Sequence, residues 1–190
     1  MACILITGAP GSGKGTQAAA LAGRIGALHI STGDVFRDHV SRGTDLGRAA
    51  RTHMDAGRYV PDDITNAMVR DRLRDAAASG SFILDGYPRT VDQAKYLDTV
   101  LAEIGVELVA VIALLVDTEE LVGRLVLRGR TEGRSDDTEE VVRRRQDVYL
   151  AETAPLLDVY RGRGLLREVD GTGEIEAVAD RIDRALGSRH

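Results

Sequence analysis

Nine consecutive residues near the start of the chain, Gly8-Ala9-Pro10-Gly11-Ser12-Gly13-Lys14-Gly15-Thr16, have the types and spacing to wrap an anion. Glycines let successive backbone N–H groups turn inward with no Cβ in the way. A helix opening directly behind them would add the positive end of its dipole. Lys14 brings a mobile cation to the β- and γ-phosphates of a nucleoside triphosphate. The run follows G-x-x-x-x-G-K-[ST], except that Gly15 takes the hydroxyl position and Thr16 comes one place later. Thr16 is therefore grouped with the phosphate-binding residues and not read as a direct metal ligand.

A second group of chemical residues follows the apolar run Phe82-Ile83-Leu84. Asp85 ends that run, the place where phosphate-loop proteins keep an acid that holds Mg2+ through water. Gly86-Tyr87-Pro88-Arg89-Thr90 comes at once, so Arg89 should project from the same edge. Only Lys14 and Lys95 among the 25 basic residues are lysines, so an arginine is informative by position and not by abundance. Arg37, Arg89, Arg128, Arg134 and Arg145 are placed where guanidinium forks could grip phosphate oxygens and stabilise charge on a transferring phosphoryl group.

These groups need a scaffold, and the hydropathy pattern supplies one. Short, nearly continuous apolar runs at residues 3–7, 28–30, 82–85, 108–116 and 165–169 read as strands covered on both faces. Between them the 3.6-residue period predicts helices over 14–25, 64–78, 91–104, 119–127, 138–149 and 175–186. Such alternation predicts an α/β fold with right-handed crossovers. Residues 31–59 are too long for one crossover and read as a small helical insertion, with Gly43, Gly47 and Gly57 at helix ends or turns. Residues 129–137 read as a short polar turn between two helices.

Composition narrows the possibilities further. With 190 residues, one hydrophobic core is expected. A net charge of −5 and 4% aromatic residues argue against nucleic-acid binding or an anionic membrane surface. The single Cys3 rules out a disulfide framework and reads as core packing. No leader pattern or membrane-length apolar run is visible, which predicts a cytoplasmic protein. Nothing in the chain requires a partner surface, so a monomer is expected.

Residues 8–17 (GAPGSGKGTQ), 31–37 (STGDVFR), 85–90 (DGYPRT) and 136–145 (DDTEEVVRRR) together resemble the adenylate kinase family, in its order and approximate spacing. The resemblance covers nearly the whole chain, and the GKGT form of the loop is that family's own variant. It implies reversible transfer of the γ-phosphoryl of ATP to AMP, with Mg2+. It also implies a P-loop NTPase-type three-layer fold with a five-stranded parallel sheet in a single kinase domain, 1–190. A small AMP-binding insertion over 31–60 and a short lid over 129–137 complete that picture. Other members carry a longer lid, sometimes with four zinc-binding cysteines, so no zinc is expected here.

The resemblance also assigns residues. Gly11, Ser12, Gly13, Lys14, Gly15 and Thr16 would hold the ATP phosphates, joined by Arg124, Arg128 and Gly173, the last in the segment 170–173 beside the ATP adenine. Arg37 and Arg89 would hold the AMP phosphate, while Thr32 and Gln93 meet its adenine and Arg58, Val60 and Gly86 line the pocket. Arg134 and Arg145 would reach both AMP and the transferring group, and Lys14, Arg89, Arg128, Arg134 and Arg145 would form the catalytic set. Asp85 would order the water shell of Mg2+. A UMP/CMP kinase is the nearest alternative, disfavoured by Thr32, Thr90 and Gln93. A regulatory P-loop module has no need of the second anion site at Arg37 and Arg89.

Overall fold

The computed structural model describes residues 1–78, 80–132 and 137–187, the side chains of Arg130 and Glu132 aside. Its centre is strand β1 (Ala2–Gly8), flanked by β3 (Phe82–Asp85) and β4 (Glu107–Leu115), with β2 (Leu28–Ser31) and β5 (Leu166–Asp170) at the edges. The order β2-β3-β1-β4-β5 is parallel throughout. Successive side chains of β1 point to opposite faces, and each face meets its own apolar layer. Cys3 and Leu5 join Phe82, Leu84 and Val111 beneath α4 (Asp62–Ala77), α5 (Val91–Glu103) and α8 (Pro155–Gly162). Ile4 and Ile6 join Ile83, Ile112 and Leu114 beneath α1 (Lys14–Ile25) and α9 (Ile175–Gly187). The expected three-layer α/β fold is therefore the observed one, and Cys3 lies unpaired in its core.

Chain direction places the chemistry. Between β1 and β3 the strand order reverses, which opens a crevice at the carboxyl edge of the sheet. The register sets Ile6 beside Asp85 and Ser31 beside Asp85, so the ends of β1, β2 and β3 are level there.

The insertion contains α2 (Thr32–Ser41) and α3 (Asp45–Asp55). Ser31 and Thr44 cap these helices by accepting from Asp34 N and Gly47 N. Their small core is Phe36, Ala50 and Val60, against which Leu46, Met54, Ile64 and Met68 pack. At roughly 1.5–3 kcal/mol for each fully buried large side chain, three buried residues cannot hold the insertion alone. It leans on α4, which supplies Ile64 and Met68.

One expectation gains a different reason and two need correction. Gly47 does stand at a helix end, in the first turn of α3, but as a space-maker: any side chain there would collide with the His39 backbone of α2. The helix expected over 119–127 is α6 (Thr118–Glu132), so residues 129–132 of the expected turn are helical, while 133–136 lie outside the described residues. Gly129 stands within that helix, where a Cβ would come within 2.9 Å of Asp137, so its glycine answers a demand for space and not a turn. Finally, the helix expected over 138–149 does not stop there: α7 (Glu139–Val148) continues through a π-helical segment, Tyr149–Thr153, into α8. Pro155 is tolerated there because it opens the next helix.

Candidate active site

The loop after β1 is shaped by two glycines in the left-handed region, Gly11 (φ 89°) and Gly13 (φ 84°), and Gly13 immediately precedes α1. Neither the cap nor the first turn of α1 carries an acidic side chain, so the helix end keeps its positive character for a ligand. Gly11 also lies against α6, since a Cβ there would come within 2.9 Å of Leu125. The loop is anchored from α7, where buried Gln146 donates through Nε2 to the Pro10 carbonyl at 2.8 Å.

Lys14 lies over this loop, its Nζ donating to the Ala9 carbonyl at 3.5 Å. Burial pushes its pKa down to about 8, and the Arg89, Arg145 and Arg128 charges add to the fall while Asp85 opposes it. A cation so crowded by cations is stabilised by arriving anionic oxygens. Asp85 is buried, and its Oδ1 has no hydrogen-bond partner. Its Oδ2 lies 3.8 Å from His29 Nε2 and 3.4 Å from where a Cβ of Gly15 would stand. Gly15 thus gives the carboxylate room beside the phosphate loop.

Two clefts meet at this point and share part of their lining. One is bordered by Gly11, Gly13, Lys14, Gly15, Thr16, Arg124, Arg128 and Asp85. The other is lined by Thr32, Arg58, Val60 and Gln93. Lys14, Arg37, Gly86, Arg89 and Arg145 border both. The structure therefore brings most of the expected residues to one continuous site.

Two expected residues line neither cleft. Ser12 is buried, and its backbone N–H donates to the Ala9 carbonyl at 3.1 Å. Gly173 follows the turn made by Asp170, whose carboxylate accepts from the Thr172 backbone (2.9 Å) and hydroxyl (2.7 Å). Those two bonds, hydroxyl first, hold the Asp170 carboxyl below the usual range. Arg181 donates to the Asp170 and Thr172 carbonyls at 2.8 and 2.7 Å, and Arg124 reaches the Gly171 carbonyl at 3.5 Å. Arg134 lies outside the described residues.

The arginines are held by partners that sequence reading passed over. Asp137, whose side chain is 0% exposed, accepts two bonds from Arg128 (2.7 and 2.9 Å) and one from Arg145 (2.8 Å). One carboxylate thus aligns two guanidiniums from different helices. Arg37 pairs with Asp34 at 2.5 Å, and Gly33 leaves the space its guanidinium fills. Arg89 donates through Nε to the Gly86 carbonyl at 2.6 Å and lies 4.9 Å over the Tyr59 ring. The Tyr59 hydroxyl meets Thr153 Oγ1 at 2.7 Å, and Thr153 donates to the Arg89 carbonyl at 2.8 Å. The π-helical segment thereby turns Thr153 toward the insertion and Arg89 together, a placement no local pattern announces.

The end of the second cleft at Thr32 and Gln93 is equally built. Thr32 donates to the Asp85 carbonyl at 3.3 Å. Gln93, 1% exposed, binds the Arg89 backbone N–H through Oε1 and Asp62 through Nε2.

A phosphate loop beside a second arginine-bordered cleft, at the switch point of a parallel sheet, defines a P-loop phosphotransferase with two anionic substrates. The comparisons agree on which one. The family model for adenylate kinase matches residues 6–165. Adenylate kinases from a Nocardioides species, Leifsonia xyli and Thermobifida fusca are 54%, 53% and 51% identical to it. The alignments span 96%, 98% and 98% of this chain and 96%, 94% and 98% of those relatives. The chain belongs to the adenylate kinase family and is a phosphotransferase.

Proposed function

We propose that the chain catalyses ATP + AMP = 2 ADP by direct in-line transfer, with ATP on the loop side and AMP in the cleft lined by Thr32 and Gln93. The observation that carries this reading is the shared border: Lys14, Arg37, Arg89 and Arg145 face both clefts, so two phosphate chains can meet end to end among cations. Loop amides and Lys14 hold the donor phosphates, and Arg37 and Arg89 hold the acceptor phosphate. Arg128 and Arg145, braced by Asp137, neutralise charge on the transferring group. Little covalent work is asked of the protein, since positioning and charge stabilisation carry phosphoryl transfer.

The residues present fit Mg2+ held through water. Asp85 offers a buried, unpartnered carboxylate oxygen beside the loop, and no three His, Cys, Asp or Glu cluster into a cage among the described residues. A cation that keeps its waters and takes one carboxylate with substrate phosphates suits that donor set, and would neutralise phosphate charge when bound. The cofactor is read as Mg2+ alone, without zinc.

The domain reading follows. Residues 31–60 form the AMP-binding insertion of a single kinase domain, 1–190. A short lid over 129–137 is supported by the few residues between the end of α6 at Glu132 and the start of α7 at Glu139. Closure of both over the substrates would exclude water from the transferring group. No helix among the described residues is long and apolar enough to cross a membrane. The protein is read as a cytoplasmic monomer that serves nucleotide biosynthesis and binds no nucleic acid or membrane.

A coupled assay of ADP formation tests the reading. ADP should appear only when AMP accompanies ATP, and faster than with UMP or CMP. Preference for a pyrimidine monophosphate would move the chain to the alternative substrate class.

A further inference from the structure

We propose that Asp62 is a specificity-determining positioning residue, which holds the Gln93 carboxamide in the one sense that pairs with a 6-aminopurine and opposes a 6-oxopurine. The proposal rests on the reading of the second cleft as the AMP site. Four hydrogen bonds define the device, and their polarity removes its freedom. The Arg89 backbone N–H, which can only donate, meets Gln93 Oε1 at 2.7 Å. Asp62 Oδ1 accepts from Gln93 Nε2 at 2.6 Å. Thr90 Oγ1 accepts from the Gln93 backbone N–H at 3.1 Å, which directs its own proton to Asp62 Oδ2 at 2.9 Å.

Turning the amide over would set Oε1 against the carboxylate and the NH2 group against the Arg89 N–H. Two attractive contacts would become repulsive ones in a residue almost fully buried, where mispaired polar groups are most costly. A primary amide has two N–H donors and two oxygen lone pairs, so one of each remains for a ligand. Gln93 lines the cleft, and that remaining pair is what its amide has to offer a ligand there.

A 6-aminopurine presents an acceptor, N1, beside a donor, the N6 amino group. A 6-oxopurine presents a donor, N1–H, beside an acceptor, O6. A free glutamine could turn over to suit either base. The locked amide cannot, so a 6-oxopurine in the same pose meets donor with donor and acceptor with acceptor. Discrimination then comes from a carboxylate that touches Gln93 and not the base, an opposing element as much as an attractive one.

Steady-state transfer from ATP to AMP and to inosine monophosphate (IMP) tests this, because the ratio of the two kcat/KM values is independent of how much of a variant is folded. The unsubstituted chain should prefer AMP by about 100-fold or more. Asp62→Asn, whose amide can donate to a reversed Gln93, should reduce that preference about tenfold, losing rate with AMP and gaining it with IMP. Asp62→Ala should relax the preference in the same direction. In a Gln93→Ala background, adding Asp62→Asn should leave the ratio where Gln93→Ala put it. An unchanged ratio in both Asp62 variants, an equal loss with both substrates, or a change that persists without Gln93 overturns the proposal. Absence of AMP-dependent ADP formation by the unsubstituted chain is a separate result, and it overturns the reading of the cleft as well.

Discussion

The two halves of the site solve different problems with different parts of the chain. The phosphate loop is one contiguous segment whose working groups are backbone amides, a helix end and a single side chain, Lys14. The cleft proposed for the acceptor is assembled from side chains of the insertion, the connections into α4 and α5, α7 and the π-helical segment. Its arginines are clamped by Asp34, Asp137, Tyr59 and Thr153. A polyphosphate is chiefly charge, and backbone dipoles can hold it without side-chain identity. A monophosphate that carries a particular base needs donors and acceptors fixed in direction, and only braced side chains provide them.

Substitutions in each half test that contrast. Lys14→Ala removes the loop's only cationic side chain and should lower kcat about 1000-fold with little change in melting temperature. A large melting shift with activity retained would take Lys14 out of the chemistry. Arg89→Ala should raise the KM for AMP about 100-fold while the Kd for ATP, measured by calorimetry, stays nearly constant. Equal weakening of both ligands would merge the two halves into one site. Asp137→Asn leaves both guanidinium charges in place but loosens their alignment, so kcat should fall by about 10- to 100-fold with ATP affinity less affected. Loss of binding without loss of kcat would make Asp137 a purely structural brace.

The halves should also differ in pH response. Lys14, pushed down to about 8, loses its charge in the free enzyme as pH rises through that value. Apparent kcat/KM for ATP should therefore fall about tenfold between about pH 7 and about pH 9. Apparent kcat/KM for AMP at saturating ATP should stay level, because guanidiniums do not titrate there and bound phosphates keep Lys14 charged. Parallel decline of both profiles would contradict the division. The smallest effect belongs to Tyr59→Phe, which keeps the ring under Arg89 but cuts the bond to Thr153. A KM for AMP raised about threefold is expected, with no change in the ATP response.

The strands and most helices were legible because each is a local pattern. Unbroken apolar runs mark strands buried on both faces, and β1, β3 and β4 lie within a residue or so of their expected ends. Glycine was the least legible residue type. Gly11 and Gly13 allow left-handed turns, as a loop motif implies. Gly47 and Gly129 instead make room for a neighbouring backbone, a demand visible only once α2 meets α3 and Asp137 meets α6. The same limit hid α8, since the helix expected over 138–149 reads as complete until the π-helical turn that carries it onward is seen.

The loop after β1, the acid at the end of β3 and the positions of the arginines were readable from the chain alone, because each belongs to a short segment with a local pattern. How those arginines are aimed emerges only from the folded chain. Asp137 lies nine residues beyond Arg128 and eight before Arg145, yet one buried carboxylate serves both. Thr153 stands 64 residues from the Arg89 carbonyl it binds, and Asp62 stands 31 from the Gln93 amide whose sense it sets. A charge can be read from a letter, but a direction requires a second group at hydrogen-bond distance, and chain folding brings that group into place.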